Sequence, residues 1–162
     1  MDERHRYFCL DNIQIVPVFF ISITRLRVRS IWYLPGFFSS NNQSVKQLLI
    51  TPGFVAGKEL IDKNFVFWTV TVWTADADMK TFRNSPPHRK GMQKLPTWCD
   101  EATYMHWLSE EATIPAWDTI CEKMIAEGKV SKVRHPSKAH LDKKFPTIKR
   151  TKTGRIFKPQ AM

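Results

Sequence analysis

The chain has few cysteines and no long hydrophobic segment. Its three cysteines, Cys9, Cys99 and Cys121, lack the paired spacing of a disulfide framework. Such an odd, sparse set is typical of a reducing compartment, so we predict a cytoplasmic protein. The apolar stretch 13–24 is too short to span a bilayer, Pro17 interrupts it, and it lacks a small-residue cleavage site. The sequence therefore predicts neither a membrane span nor a signal peptide.

Several common catalytic signatures are also absent. We find no glycine-rich phosphate loop, no nucleophile elbow and no paired-carboxylate motif in the sequence. His88, Cys99 and His106 are conceivable zinc ligands, but no pair of them has ligand spacing. These absences argue against a nucleotide-binding P-loop protein, an α/β-hydrolase and a zinc protein.

Acidic residues are nearly absent from the C-terminal part of the chain. Residues 1–127 contain 14 basic and 14 acidic residues, whereas residues 128–162 contain 11 basic residues and one acid, Asp142. The net charge of +10 therefore belongs to this tail. Such a tail is either solvated or binds an acidic surface. Because its Lys and Arg are spread among prolines with few stacking aromatics, we predict that nucleic acid is not its partner.

Hydrophobic periodicity predicts alternating strands and helices between residues 13 and 127, flanked by a peripheral segment, 1–12, and a basic extended tail, 128–162. The expected elements are a strand over 15–29, a helix over 39–49 capped at Ser39–Asn41, a hairpin of strands 54–61 and 65–73, a helix from Thr74 that restarts at Ser85 and ends at Pro96, a strand over 101–108 and a helix between Thr113 and Gly128. This βαββαβ order predicts an α+β, ferredoxin-like fold, with a four-stranded antiparallel sheet and helices on one face.

The two faces of the third predicted strand differ in character. Val66, Trp68, Val70 and Val72 form a wholly apolar row, and leaving such a row in water costs roughly 1.5–3 kcal/mol per large side chain. We therefore predict that the bare face of the sheet is buried by a second copy, in a homodimer. Arg25, Arg27 and Arg29 form a stripe at the end of the first strand, either solvated or paired with acids.

The opposite face of that strand combines aromatic rings with hydroxyls. It carries Thr69, Thr71 and Trp73, and the first strand places Ser22 and Thr24 beside them. Aromatic walls with a few hydroxyls are the usual composition of a small-molecule site, although ordinary core packing explains the same pattern.

Two histidines are candidates for chemistry near this face. His88 follows the predicted cap Ser85 in a first helical turn, where the helix dipole disfavours imidazolium, so it is either a neutral base or a surface residue. His106 lies on the last predicted strand between aromatics, which is compatible with a ligand contact or with a hydrogen-bonded core histidine.

These stretches carry a family resemblance over about residues 15–110. The chain resembles uncharacterised small bacterial proteins of the dimeric α+β barrel superfamily. The resemblance is carried by the segment 67–73 (FWTVTVW), Met79, Phe82-Arg83-Asn84-Ser85, His88-Arg89, Met92, Trp98-Cys99-Asp100-Glu101-Ala102 and His106-Trp107. That superfamily includes the antibiotic-biosynthesis monooxygenases. A more distant similarity is to spheroidene-type carotenoid monooxygenases, which are haem proteins.

The resemblance implies a monooxygenase-like oxidoreductase that acts on an apolar or aromatic small molecule, with no cofactor or, as the alternative, haem. A non-enzymatic binding or structural dimer is the other alternative. His88 is then the candidate catalytic residue, and the candidate substrate-binding residues are Thr24, Thr69, Thr71, Trp73, Phe82, Met92 and His106. Haem-degrading relatives use a helical Trp and a His ten residues later. Phe82 and Met92 occupy these places here, so that mechanism is not supported.

Overall fold

The computed structural model describes residues 17–149 and 154–160, so the predicted peripheral segment 1–12 lies outside the described residues. The elements are β1 (Phe19–Val28), α1 (Leu34–Leu49), β2 (Phe54–Asp62), β3 (Val66–Trp73), α2 (Asp76–Asn84), α3 (Pro86–Trp98), β4 (Cys99–Ser109), α4 (Trp117–Glu127), β5 (Lys129–Val130), α5 (Lys138–Leu141) and β6 (Gly154–Phe157). From β1 to β4 they follow the βαββαβ order, with the second helix split in two. The predicted ferredoxin-like α+β fold is confirmed.

The strands form a single antiparallel sheet in the order β5-β4-β1-β3-β2-β6. The four predicted strands are its centre, and the two short outer strands come from the basic tail. β6 pairs along Gly57–Leu60 of β2, and β5 pairs with Thr103 and Tyr104 of β4. Two short segments of the tail are therefore built into the sheet, while the predicted domain boundaries stay predictions.

Two helix boundaries differ from the sequence prediction. α1 begins at Leu34 rather than near Ser39, because Pro35 fits the first helical turn, where its missing N–H has no partner to lose. α3 continues through Pro96 to Trp98. Its last carbonyls are satisfied from outside the helix, since the backbone N–H groups of Arg29 and Arg134 donate to Trp98 O and Pro96 O.

The apolar row of β3 is covered by the chain itself. Trp68, Val70 and Val72 are almost completely buried, in one cluster with Ile120 and Met124 of α4. The prediction that a second copy covers this face is wrong, because the amphipathic stripe of α4 occupies it. A homodimer would need a different surface, and dimerisation stays a prediction.

Two arginines of the stripe pair with acids of the same chain, whereas Arg29 donates to the carbonyl of Thr97. Arg25 Nη1 lies 2.6 Å from Glu101 Oε2 with both side chains buried, and Arg27 binds Asp100 through two hydrogen bonds of 2.9 and 2.6 Å. Ser137 Oγ donates to Glu101 Oε1 at 2.9 Å, which attaches the segment before α5 to this network. The stripe is thus structural and joins β1, β4 and the tail.

No helix within residues 17–149 and 154–160 is long and apolar enough to cross a membrane. The predicted cytoplasmic location stays a prediction.

The covering role of α4 is testable with two isoleucines on the same helix. Ile120 is fully buried, whereas Ile125 is 54% exposed. Ile120→Ala removes buried methyl groups and leaves a cavity, so we expect it to lower the free energy of unfolding by about 2–5 kcal/mol. The same change at Ile125 should cost less than about 1 kcal/mol. Urea denaturation followed by tryptophan fluorescence measures both, and equal losses would contradict the packing of α4 on the sheet.

Candidate functional site

A cavity of about 400 Å³ lies between the sheet and the three helices α1, α2 and α3. Its floor consists of side chains from β1, β3 and β4, with a contribution from β2. Its roof is mostly apolar and comes from the helices, with the side chains of Val45, Leu48, Met79, Phe82, Met92 and Leu95. The volume lies within the range of about 300–1,000 Å³ that is usual for small-molecule sites.

The floor of the cavity is polar because the strand register aligns polar residues across the sheet. Thr24 of β1 is opposite Thr69 of β3 on one side and Tyr104 of β4 on the other. Glu59 of β2 is opposite Thr69 on the far side. These four residues, which we call the polar row, all line the cavity.

A second polar set lies two residues further along each strand. Ser22 is opposite Thr71 and His106, and all three line the cavity. Thr71 Oγ1 donates to the carbonyl of Ser22 at 3.4 Å, which leaves its lone pairs free to accept. Apolar residues continue the strands beyond both sets, with Trp73 and Phe20 at one end and Phe67 and Leu26 at the other. Polar groups are therefore confined to a central band of the floor.

His88 stands in the first turn of α3 and contributes to the cavity wall. Its ring lies 4.5 Å from the ring of Phe82, which in turn lies 5.5 Å from Trp73. Desolvation, with a smaller contribution from the positive charge of Arg83, lowers the pKa of His88 to about 4. The imidazole is therefore neutral at pH 7. As the sequence periodicity predicted, His88, Met92 and Leu95 share one helical face, and all three line the cavity.

His106 lies at the mouth of the cavity rather than in the core. Its ring packs against Phe20 at 5.1 Å and Tyr104 at 5.5 Å, while the rest of the residue is exposed. This partial desolvation lowers the pKa of His106, an effect that Asp76 opposes and Arg83 reinforces. The interpretation as a hydrogen-bonded core histidine is therefore wrong.

The structure brings together nearly all of the residues that the sequence singled out. The cavity is lined by Thr24, Thr69, Thr71, Phe82, His88, Met92 and His106. Trp73 is fully buried and packs behind Phe82 and against Phe54, so it supports the wall without reaching its surface.

Sequence reasoning missed Glu59, Tyr104 and Phe157 as cavity residues. Tyr104 alternates with His106 along β4, so strand periodicity contains the signal for it. Glu59 lies on a strand of mixed character with no clear alternation. Phe157 is buried against the cavity only because β6 pairs with β2, a contact between residues that are distant in sequence.

The possible ligands for a metal are few. Within residues 17–149 and 154–160, no three His, Cys, Asp or Glu side chains are grouped to hold a metal ion. Cys99 is fully buried, and desolvation raises the pKa of its thiol to about 12, so it stays protonated and unreactive. A haem iron needs only one axial imidazole, and the neutral ring of His88 is the donor in the cavity that suits this role.

The lowered pKa of His88 has a consequence for stability. In the unfolded state, His88 takes up a proton as the pH falls below its ordinary pKa of about 6.5, whereas in the folded state it stays neutral until its pKa of about 4 is reached. The free energy of unfolding therefore falls as the pH falls through this window. We expect the neutral His88 to contribute up to about 3 kcal/mol to the free energy of unfolding at pH 7. Urea unfolding at pH 7 and pH 4.5 should show a smaller pH dependence in His88→Gln than in the wild type. The same change at the exposed His135 is the control, and an unchanged dependence in His88→Gln would contradict the burial of His88.

Comparison with known proteins finds similarity in fold. No family model matches the chain, and no curated protein matches it. Among solved structures, a conserved protein from Methanosarcina mazei Go1 is 9% identical with a TM-score of 0.50, over 57% of this chain and 93% of that one. A putative monooxygenase from Lactobacillus acidophilus NCFM is 5% identical with a TM-score of 0.50, over 55% of this chain and 43% of that one.

SnoaB, a cofactor-independent oxygenase from Streptomyces nogalater, is 21% identical with a TM-score of 0.45, over 60% of this chain and 97% of that one. Other neighbours are described as antibiotic biosynthesis monooxygenases. At these identities the likeness concerns the fold. The likeness to the structures with a TM-score of 0.50 extends to the fold alone, and the chain has the predicted ferredoxin-like α+β fold.

Proposed function

We propose that the cavity binds an apolar or aromatic small molecule and that His88 acts on it as a general base in a monooxygenase-like reaction. The observation that carries this proposal is a neutral imidazole facing a largely apolar cavity of about 400 Å³. A cavity of this size accommodates a ligand of two or three rings, and its apolar roof favours such rings by excluding water. The fold shared with monooxygenase-like proteins is consistent with the proposal.

His88 becomes a stronger base only when a ligand is bound. With a pKa of about 4, the imidazole of the empty cavity is proton-free at pH 7 but only weakly basic. When it takes a proton from the ligand, an imidazolium and a ligand anion are left in contact. That anion stabilises the imidazolium, and Arg83, which also lines the cavity, stabilises the anion. Arg83 thus disfavours protonation of the empty site and favours the ion pair formed during the reaction.

The reaction balances without a cofactor when the substrate itself is the reductant. A substrate R₂CH₂ and O₂ give R₂C=O and water, and all four electrons that reduce O₂ come from the oxidised carbon. The protein contributes a base, an anion-stabilising charge and a cavity from which bulk water is largely excluded.

His88 is also the basis of the haem alternative. A neutral imidazole in an apolar cavity is a common axial ligand of haem iron, which would supply oxygen activation or electron transfer. The absorption spectrum of the purified protein distinguishes the two proposals. A Soret band would favour the haem protein, whereas a featureless visible spectrum favours cofactor-free chemistry or simple binding.

Activity is testable by oxygen consumption with a panel of reduced hydroxyaromatics of two and three rings. With any substrate that is turned over, His88→Ala should lower kcat/KM at least tenfold, the lower part of the range for one general base. His135→Ala, which changes an exposed histidine outside the cavity, should leave the rate unchanged. Equal rates in the wild type and His88→Ala would overturn the catalytic role. Absence of oxygen consumption across the panel, together with ligand binding by fluorescence, would favour a non-enzymatic binding protein.

A further inference from the structure

Glu59 is a carboxylate at the β2 end of the polar row. Its side chain is 18% exposed and lines the cavity, under the part of α1 that contains Asn41. The other members of the row, Thr69, Thr24 and Tyr104, are neutral hydroxyl groups. Glu59 is therefore the acidic group of the polar row.

The hydrogen-bonding capacity of Glu59 is only partly used by the described residues. Asn41 Nδ2 donates to Oε2 at 3.1 Å. Arg155 Nη1 lies 3.9 Å from Oε1, a distance that gives electrostatic attraction but no hydrogen bond. A carboxylate offers about four acceptor sites, so Glu59 has acceptor sites left for a donor from the cavity that it lines. A largely desolvated carboxylate with free lone pairs gains more than a solvated one when such a donor arrives.

The two ends of the cavity carry opposite chemistry. His106 lies on β4 and lines the cavity at one edge of the floor. Glu59 lies on β2, separated from β4 by β3 and β1. Three strand spacings correspond to about 14 Å between the backbones of β2 and β4. A ligand that reaches from His106 to Glu59 is consequently elongated, with one polar group at each end.

We propose that Glu59 is a binding residue that selects elongated apolar ligands carrying a hydrogen-bond donor, such as a hydroxyl, at the end remote from His106. This inference rests on the proposed function, since it concerns a ligand of the same cavity. A carboxylate at that end of the ligand is disfavoured, because it would bring two like charges together away from bulk water. The middle of the ligand lies between the apolar roof and the hydroxyls of Thr24 and Thr69.

Three rigid biphenyls test the inference by titration of the full chain, followed by tryptophan fluorescence and calorimetry. They are p,p′-dihydroxybiphenyl, p-phenylphenol and biphenyl-p,p′-dicarboxylate, of which the last presents a carboxylate to Glu59 in either orientation. Wild-type protein should bind the diphenol at least tenfold more tightly than p-phenylphenol, as expected for a hydrogen bond to a charged acceptor. It should bind the dicarboxylate most weakly.

Variants at Glu59 separate its role from general packing. Glu59→Met keeps an unbranched side chain without an oxygen acceptor, and it should abolish the preference for the diphenol over p-phenylphenol. Glu122→Met, an exposed carboxylate on α4, is the matched control and should keep the wild-type preference. If Glu59→Met does not fold, Glu59→Gln provides the test. It retains the shape of the side chain and should bind the carboxylate probe at least fivefold more tightly than the wild type does.

The outcomes distinguish the two proposals. Saturable binding of the probes with the same order of affinities in the wild type and the Glu59 variants would overturn the role of Glu59 and leave the cavity proposal intact. Failure of all three probes to bind the wild type would contradict the proposed cavity ligand, and with it this inference.

Discussion

The site depends on the antiparallel register of β1 between β3 and β4. This register aligns Thr24 with Thr69 and Tyr104, and Ser22 with Thr71 and His106. A slip of one residue would turn every β1 side chain to the opposite face, so that Ile21 and Ile23 would replace the hydroxyls on the floor. The register thus separates a face with an apolar centre from a face with a polar band.

The hydrophobic packing on the far face makes that register costly to change. Ile21, Ile23 and Val70 are fully buried there together with Ile120 and Met124 of α4. The buried pair of Arg25 and Glu101 adds a charge constraint, because shifting β1 against β4 would leave two desolvated charges without partners. The face that α4 covers therefore holds the floor in position, and the opposite face is free to contain the cavity.

Local sequence patterns were sufficient for some features and insufficient for others. The period of two along β1 and β3 correctly placed Thr24, Thr69 and Thr71 on the face covered by α1, α2 and α3, since alternation is a property of the strand itself. A helix was expected at α4, but no local pattern specified the surface on which it docks, and the apolar row of β3 was assigned to a second copy. Phe157 depends on the pairing of β6 with β2, which no local pattern contains, and Glu59 lies on a strand without clear alternation.

The origin of the two outer strands has a consequence for biosynthesis. β5 and β6 both follow α4 in the chain, so both edges of the four central strands stay unpaired until the segments 129–130 and 154–157 have left the ribosome. Unpaired strand edges are templates for association with other chains. The nascent protein therefore passes through a stage in which its sheet is formed but its borders are open, and chaperone binding at this stage would protect it from aggregation.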